Sequence, residues 1–193
     1  FSKPLLSETD NRGQVQVCAR CHALRSPLGD GYQHSAALLD DYLPSDLTAA
    51  QYEVDGKIKG EVFEYGSFTQ SKMFAKGVAC TNCHNPHSTR LKLQGNAVCT
   101  QCHNPAGKTA AAGVDGAGLQ AKDYDSPAHT HHPVGSPAAQ CTACHMPGKF
   151  YMGNDFRHDH SFSVPNPAQS AALGSPDACQ GCHRETQSAR LIE

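Results

Sequence analysis

All ten cysteines of this 193-residue chain fall into five copies of one Cys-x-x-Cys-His motif, with none left over. Two thiols three positions apart can each form a thioether with one of the two vinyl groups of a single porphyrin, which is the chemistry of c-type haem attachment. The sequence therefore predicts five covalently bound haem c groups. The predicted thioether residues are Cys18, Cys21, Cys80, Cys83, Cys99, Cys102, Cys141, Cys144, Cys179 and Cys182.

The histidine that ends each motif is predicted to bind the iron of its own haem from the proximal side, because a neutral imidazole is the usual axial ligand there. Zinc sites and disulfide frameworks also use paired cysteines, but neither needs a histidine directly after the second cysteine. Here the histidine follows in every copy. The predicted proximal ligands are His22, His84, His103, His145 and His183.

The remaining histidines exceed by two the number needed to give every iron a second axial ligand. An isolated histidine is usually solvated or hydrogen-bonded, but five irons with a distal position favour bis-histidine ligation. His87 follows His84 by three residues and lies on the same side of that haem, so it is expected to bind the iron of a neighbouring haem. The remaining histidines are His34, His87, His129, His131, His132, His158 and His160.

The stretch between the first and second motifs is predicted to have a structure of its own. Asp55-Gly56 lies between two short alternating runs in residues 52–59, which indicates a β-hairpin with residues 62–65 as its extension. Farther along the chain, residues 106–122 are rich in alanine and glycine without a periodic pattern. We interpret this second stretch as a surface linker.

Three short helices are predicted from capping residues and first-turn composition. They begin near Ser71, Asn96 and Ser175, and the last continues through residues 184–192. The predicted fold is mostly irregular, with short α-helices and a small β-hairpin, organised around a stacked haem chain. We expect a single pentahaem domain, residues 1–193, with segments 1–70, 71–105, 106–122 and 123–193.

Composition agrees with a core made largely of cofactor. Only 38% of the residues are hydrophobic and there is no tryptophan. The formal charge of −2 becomes roughly −7 to −12 once the irons and propionates of five haems are included. Basic runs and membrane-length apolar stretches are absent from the sequence, so we expect neither nucleic-acid binding nor membrane insertion. Haem attachment to this motif outside the cytoplasm predicts a periplasmic or extracellular protein, with redox proteins or extracellular acceptors as partners.

Several runs outside the motifs resemble the multihaem cytochrome region of bacterial tetratricopeptide-repeat cytochromes. They include Glu64-Tyr-Gly-Ser-Phe-Thr-Gln-Ser-Lys-Met73, Cys83-His-Asn-Pro-His-Ser88, Tyr124-Asp-Ser-Pro-Ala-His129 and Arg157-His-Asp-His-Ser-Phe162. The resemblance extends from Val17 to about Ala189. It implies a relation to the wider nitrite reductase and hydroxylamine oxidoreductase superfamily, whose haems stack in close pairs.

The resemblance also implies distal iron ligands and a function. Five distal ligands for five irons favour electron transfer, so no catalytic residue is assigned. A reductase or oxidase of small nitrogen compounds, with one open haem, is the alternative, and assembly into an extracellular cytochrome filament is a further hypothesis. The implied distal ligands are His34, His87, His129, His132 and His160, with His131 and His158 as possible substitutes.

Overall fold

The first helix shows how a short element carries a motif. Helix α1 (Asn11–His22) is the longest helix in the computed structural model, which describes residues 11–29 and 36–183. Val15 and Ala19 lie four positions apart on its buried face, and Ala23 continues that face just beyond the helix end. The first motif occupies the last part of α1, so the face that is buried also fixes the direction in which that motif points.

The other described helices are one or two turns long. None has both the length and the apolar character that a membrane crossing requires, as far as residues 11–29 and 36–183 are concerned. The helices are α2 (Leu38–Asp41), α3 (Glu64–Phe68), α4 (Lys72–Ala75), α5 (Cys80–Cys83), α6 (Ala97–Thr100), α7 (Pro127–Thr130), α8 (Cys141–His145) and α9 (Pro167–Leu173), with 3₁₀ turns at Pro137–Ala139 and Cys179–Gly181.

Two antiparallel hairpins contain the strands of the described chain. Strand β1 (Arg25–Pro27) pairs with β2 (Tyr42–Pro44), with Ser26 opposite Leu43. Strand β3 (Gly148–Tyr151) pairs with β4 (Asp155–His158), with Phe150 opposite Phe156. The predicted fold class, mostly irregular with short helices and little β-structure, is confirmed.

The predicted hairpin in residues 52–59 is present in a minimal form. Tyr52 and Ile58 form an isolated antiparallel bridge, and Gly56 takes a φ of 85° in the turn, a conformation that glycine adopts without strain. The predicted extension through residues 62–65 is wrong. Val62 is buried, and Glu64 begins α3, because the chain turns here to pack on α1 rather than continuing a strand.

Two of the three predicted helix starts are confirmed. Ser71 caps α4 by accepting a hydrogen bond from the backbone N–H of Phe74 at 3.0 Å, and α6 follows Asn96. The helix predicted from Ser175 is wrong, since residues 175–178 are not helical and only a 3₁₀ turn, Cys179–Gly181, follows. Its predicted continuation, residues 184–192, lies outside the described part of the chain.

The apolar core is small and lies around α1. One cluster joins Val15 to Phe68 and Ala79, and a second joins Ala19 and Ala23 to Leu38. Tyr65 of α3 packs against both clusters, which seats α3 beside the end of α1. The core is therefore concentrated at the first two motifs.

Candidate haem-binding sites

The motifs share a local backbone arrangement. In the second, third and fifth, the backbone N–H of the histidine donates to the carbonyl of the first cysteine, with N–O distances of 2.8 Å for His84, 3.0 Å for His103 and 2.8 Å for His183. The first and fourth motifs lie within α1 and α8. A helical turn places residues three and four apart on one side. Both thiols and the imidazole of a motif thus face the same space.

None of the ten cysteines is paired in a disulfide, so each is available for a thioether bond. In residues 11–29 and 36–183, no three His, Cys, Asp or Glu side chains come together in a way that would hold a single metal ion. This arrangement differs from the four-ligand zinc centre and from the disulfide framework that paired cysteines can also form. The donor set fits the separate attachment of one haem at each motif.

Thiols of different motifs lie against each other. The Cys18 and Cys80 thiols interact, and this interaction lowers the pKa of Cys18 to about 6 and raises the pKa of Cys80. Cys99 and Cys141 form a second such pair, in which the interaction raises the pKa of Cys99 and lowers that of Cys141. The first motif therefore adjoins the second, and the third adjoins the fourth.

Two further contacts complete the same order. Burial raises the pKa of Cys83, and the nearby Cys102 adds to this effect. Burial likewise raises the pKa of Cys144, with further contributions from Cys141 and from Cys182 of the fifth motif. The second motif thus adjoins the third, and the fourth adjoins the fifth. Consecutive motifs in the sequence are neighbours in space.

Three motif histidines face a second imidazole across a narrow gap. The ring centroids of His84 and His160 are 6.3 Å apart. His145 and His129 are separated by 6.1 Å, and their planes are within 7° of parallel. These separations are too long for rings in face-to-face contact, and each pair joins a motif histidine to one of the histidines that the sequence marks as distal ligands.

The third pair has a similar separation, with the ring centroids of His183 and His132 6.0 Å apart and their planes inclined by 42°. Two bonds of about 2 Å between a metal and imidazole nitrogens, with half a ring on either side, separate two axial imidazoles by about 6 Å. Each of the three gaps therefore has the width that a single iron between two histidines needs. This is the structural observation that fits the residues to a haem.

Backbone carbonyls orient several of these rings. A carbonyl oxygen can only accept, so the Nδ1–H of His160 donates to the oxygen of His158 at 2.9 Å and that of His145 donates to Ser163 at 2.9 Å. The Nδ1–H of His132 donates in the same way to Thr130 at 2.6 Å. In each case the proton is fixed on Nδ1, which leaves the Nε2 lone pair free to bind a metal.

Burial favours the neutral form of several candidate ligands. It lowers the pKa of His160 and that of His103, the latter helped by the nearby His145. The pKa of His129 is also lowered, first by burial and then by the positive charge of Lys122. Metal ligation requires neutral imidazole, so these shifts act in the direction that ligation needs.

The described residues do not pair every predicted ligand. No described imidazole faces His22 or His103 at the separation seen in the other three motifs. His34, a predicted distal ligand, lies outside the described residues. His87 is exposed in a turn, where its backbone N–H donates to Asn85 Oδ1 at 2.9 Å.

The two possible substitutes occupy different settings. His131 ends α7 with a φ of 58° and is exposed. His158 lies in β4, and its Nδ1–H donates to the carbonyl of Met146 at 2.6 Å. Neither faces a motif histidine in the way that His129, His132 and His160 do.

Asp159 is a supporting residue that the sequence analysis did not single out. Its buried carboxylate accepts hydrogen bonds from the backbone N–H groups of Ile58 and Ser161, each at 2.8 Å, and from the hydroxyl of Ser67. It precedes His160 and so fixes the segment that presents this ring. The signal was an acidic residue between two histidines, His158 and His160, in the sequence.

Comparison with known proteins agrees with this reading of the sites. Residues 72–108, which hold the second and third motifs, match the family described as the doubled CXXCH motif. The crystal structure of the outer cell wall cytochrome OcwA has the same fold over 95% of this chain, with a TM-score of 0.58 and 17% sequence identity. This chain spans half the length of that cytochrome. No curated protein matches the sequence.

Proposed function

We propose that this chain transfers electrons through five covalently attached haem c groups, most of them with two histidine ligands. The observation that carries the proposal is the set of three imidazole pairs, each with ring centroids 6.0–6.3 Å apart and each containing one motif histidine. The fold shared with an outer cell wall cytochrome and the match to the doubled CXXCH motif support the same class of protein.

The proposed task of the chain's residues is to hold the cofactors rigidly. When bound, each haem supplies an iron that exchanges one electron. The cysteines of a motif would hold the haem covalently, and the motif histidine with its distal partner would bind the iron and exclude water and other ligands from it. A fixed pair of strong ligands also changes little between the two oxidation states, and this favours fast exchange of electrons over chemistry on a bound substrate.

The contacts between cysteines support a path in sequence order. The thiols of Cys18 and Cys80 interact between the first and second motifs, and those of Cys99 and Cys141 interact between the third and fourth. Because a thioether joins each of these sulfurs to the rim of a porphyrin, contact between sulfurs brings the rims of neighbouring haems together. We infer one continuous electron-transfer path through the five haems, from the first motif to the fifth, within one domain. We call this path the wire.

We assign the distal ligands by the same geometry. His160 serves the second motif, His129 the fourth and His132 the fifth. The remaining two irons, above His22 and His103, are left to His34 and His87, in keeping with the expectation that His87 serves a haem other than its own. His131 and His158 remain substitutes.

Electron paramagnetic resonance of the oxidised holoprotein tests this assignment against the enzyme alternative. Bis-histidine ligation at every iron predicts low-spin signals alone, and intact-mass measurement should show five haem additions. A high-spin component that responds to nitrite or hydroxylamine would instead support a reductase or oxidase with an open haem. An intact mass that corresponds to fewer than five haems would contradict the proposed five-haem path.

The setting of the protein is also a proposal. The solved relative is named as an outer cell wall cytochrome, and this supports a place in the cell envelope or outside it, with redox proteins or extracellular acceptors as partners. We further propose a relation to the tetratricopeptide-repeat cytochromes and to the nitrite reductase and hydroxylamine oxidoreductase superfamily, on the sequence runs described above. Deletion of the gene should then abolish reduction of an external acceptor but leave growth on internal acceptors intact.

Assembly into a filament is a second proposal, based on the position of the first and fifth motifs at the two ends of the motif order. Head-to-tail contact between such ends would extend the wire, and a repeated contact of this kind gives a filament unless it closes into a ring. Negative-stain microscopy should show fibres, and discrete particles at every concentration would contradict this.

A further inference from the structure

We propose that Glu64 lowers the reduction potential of the first haem by accepting a hydrogen bond from its proximal ligand, His22. The inference rests on the proposed function, since it assumes that the first motif carries a redox-active haem. It adds a residue that lies outside every motif and ligand set, and it gives the first position in the wire a property that the others lack.

The geometry that carries the inference is a direct contact. His22 Nδ1 lies 3.3 Å from Glu64 Oε2, and a carboxylate oxygen can only accept, so the imidazole donates. The Glu64 side chain is 28% exposed and the His22 side chain 66% exposed before any porphyrin covers it. An attached haem would cover the imidazole further and strengthen this contact by excluding water.

The other ring contacts of this kind involve neutral acceptors. Among the motif histidines with an Nδ1 acceptor in the described residues, His84 faces the carbonyl of Thr89 at 3.3 Å and His145 the carbonyl of Ser163 at 2.9 Å. His22 alone in this group faces a full negative charge. The first motif therefore differs from the others in the electrostatics of its proximal ligand.

The fold holds Glu64 in this position. Glu64 is the first residue of α3, and Tyr65 next to it packs against Ala19 and Ala23 near the end of α1. Phe68, one turn later, packs against Val15 of the same helix. Two apolar contacts along α3 thus keep the carboxylate beside the last turn of α1, where the imidazole of the first motif lies.

The physical consequence follows from the charge. A carboxylate that accepts from Nδ1–H makes the imidazole a stronger donor to the metal and stabilises the more positive, oxidised iron. Reduction adds one electron to the iron, with no bond made or broken, so the added stability of the oxidised form appears directly as a lower potential.

The test is Glu64→Gln in the holoprotein, followed by spectroelectrochemical titration. The variant keeps the size of the side chain and removes its charge, so the couple of the first haem should move to higher potential by about 59 mV, which corresponds to a tenfold change in the one-electron equilibrium. Glu64→Asp should keep part of the effect. The couple is identified with His22→Met, because a thioether ligand raises the potential of that haem alone.

Glu61→Gln is the matched control, since Glu61 lies three residues away and its carboxylate accepts from the backbone N–H of Met152 at 3.0 Å rather than from an imidazole. The reduction potentials of all haems in Glu61→Gln should equal those of the parent protein within experimental error. Unchanged couples in Glu64→Gln, or an equal shift in Glu61→Gln, would overturn the inference while low-spin spectra and reversible reduction still uphold electron transfer. High-spin spectra or irreversible reduction in the parent protein would count against the proposed function itself.

Discussion

The imidazoles that face the motif histidines of the second motif and of the last two motifs are held in place in different ways. His160 lies in a segment that is held by distant parts of the chain, through Asp159 to Ile58 and Ser67. His129 and His132 lie on and just after α7, a single turn. This turn is closed mainly by bonds between neighbours, such as Thr130 Oγ1 to the carbonyl of Ser126 at 3.2 Å.

The difference extends to the surroundings of each ring. Around His160, the ammonium of Lys149 donates to the carbonyls of Ile58 and Lys59, so the β3–β4 hairpin is tied to residues about 90 positions earlier. Around α7, the main distant tie is the amide of Asn96, which donates to Asp125 at 2.7 Å. A long-range network holds the imidazole of His160, and a local turn holds those of His129 and His132. Loss of a support should therefore have global effects near His160 and local effects near α7.

The largest expected effect is that of His160→Ala. The variant removes the ring that faces His84, so one haem should become high-spin. It also leaves a cavity where the imidazole was packed, which should lower the free energy of unfolding by about 3 kcal/mol. His129→Ala should also convert one haem to high spin but lower stability by less than about 1 kcal/mol. Electron paramagnetic resonance and urea unfolding measure the two effects separately. An unchanged spectrum in His160→Ala would instead point to His158 as the ligand.

Substitution of Asp159 tests the long-range support of His160 without changing any candidate iron ligand. Asp159→Ala leaves the N–H groups of Ile58 and Ser161 and the hydroxyl of Ser67 without their acceptor. Each buried donor left unpaired costs roughly 1–3 kcal/mol, so a loss of about 3 kcal/mol is expected. Urea unfolding followed in the haem absorbance band measures it.

The matched control is Asp123→Ala, an exposed carboxylate near α7 that accepts only a local hydrogen bond, from Asp125 N at 3.1 Å. Its expected cost is below about 1 kcal/mol. Equal losses in the two variants would contradict the distinction between a long-range and a local support. A selective loss of low-spin signal from one haem in Asp159→Ala, before global unfolding, would strengthen it.

The structural features that were predicted correctly from the sequence depend only on the spacing of residues a few positions apart. The two thiols and the imidazole of a motif need only one helical turn, and the structure provides that turn at Cys80–Cys83 and Cys141–His145. The turn at Gly56 and the cap at Ser71 are local in the same sense. These features are properties of short peptides, so no knowledge of the fold was needed.

What the sequence missed falls into two groups. Helix α9 was missed although its signals are local: Asn166 Oδ1 accepts from Gln169 N at 3.0 Å, Pro167 follows, and Gly174 ends the helix with a φ of 67°. The pairing of ligands could not be read from sequence at all. His84 and His160 are 76 positions apart, and the contacts of Asp159 with Ile58 and Ser67 are among those that bring them together.

The contacts that join residues 55–57 to the segment just before the fifth motif give a prediction of intermediate size. Asp55 Oδ2 accepts from Lys57 Nζ and from Ser175 Oγ, each at 2.6 Å, and Lys57 Nζ also donates to the carbonyl of Pro176 at 2.7 Å. The carboxylate and the ammonium are largely buried. Asp55→Asn should cost about 2 kcal/mol at neutral pH, measured by urea unfolding.

The pH dependence of this loss has a definite sign. Burial acts to raise the pKa of Asp55, but hydrogen bonds from Lys57 and Ser175 outweigh it and hold the pKa below its ordinary value of 3.8. A lowered pKa in the folded state means that the ionised carboxylate stabilises the protein above pH 3.8, and that this contribution disappears as the pH falls through the folded pKa. The stability difference between the parent and Asp55→Asn should shrink over that range, and a difference that grows with acidity would contradict the assignment.

The smallest expected effect concerns the charge beside the locally held ligand. Lys122 Nζ lies 3.4 Å from Nδ1 of His129, opposite in sign to Glu64 beside His22, so it should raise the potential of the fourth haem. Because Lys122 is exposed, water and salt screen it, and Lys122→Gln should change the reduction equilibrium by less than a factor of about two. Lys108→Gln, an equal change of charge at another exposed position, is the control. A shift in Lys122→Gln that is equal in size to that of Glu64→Gln and independent of salt would mean that an exposed charge beside a local turn tunes a haem as strongly as one held by the core.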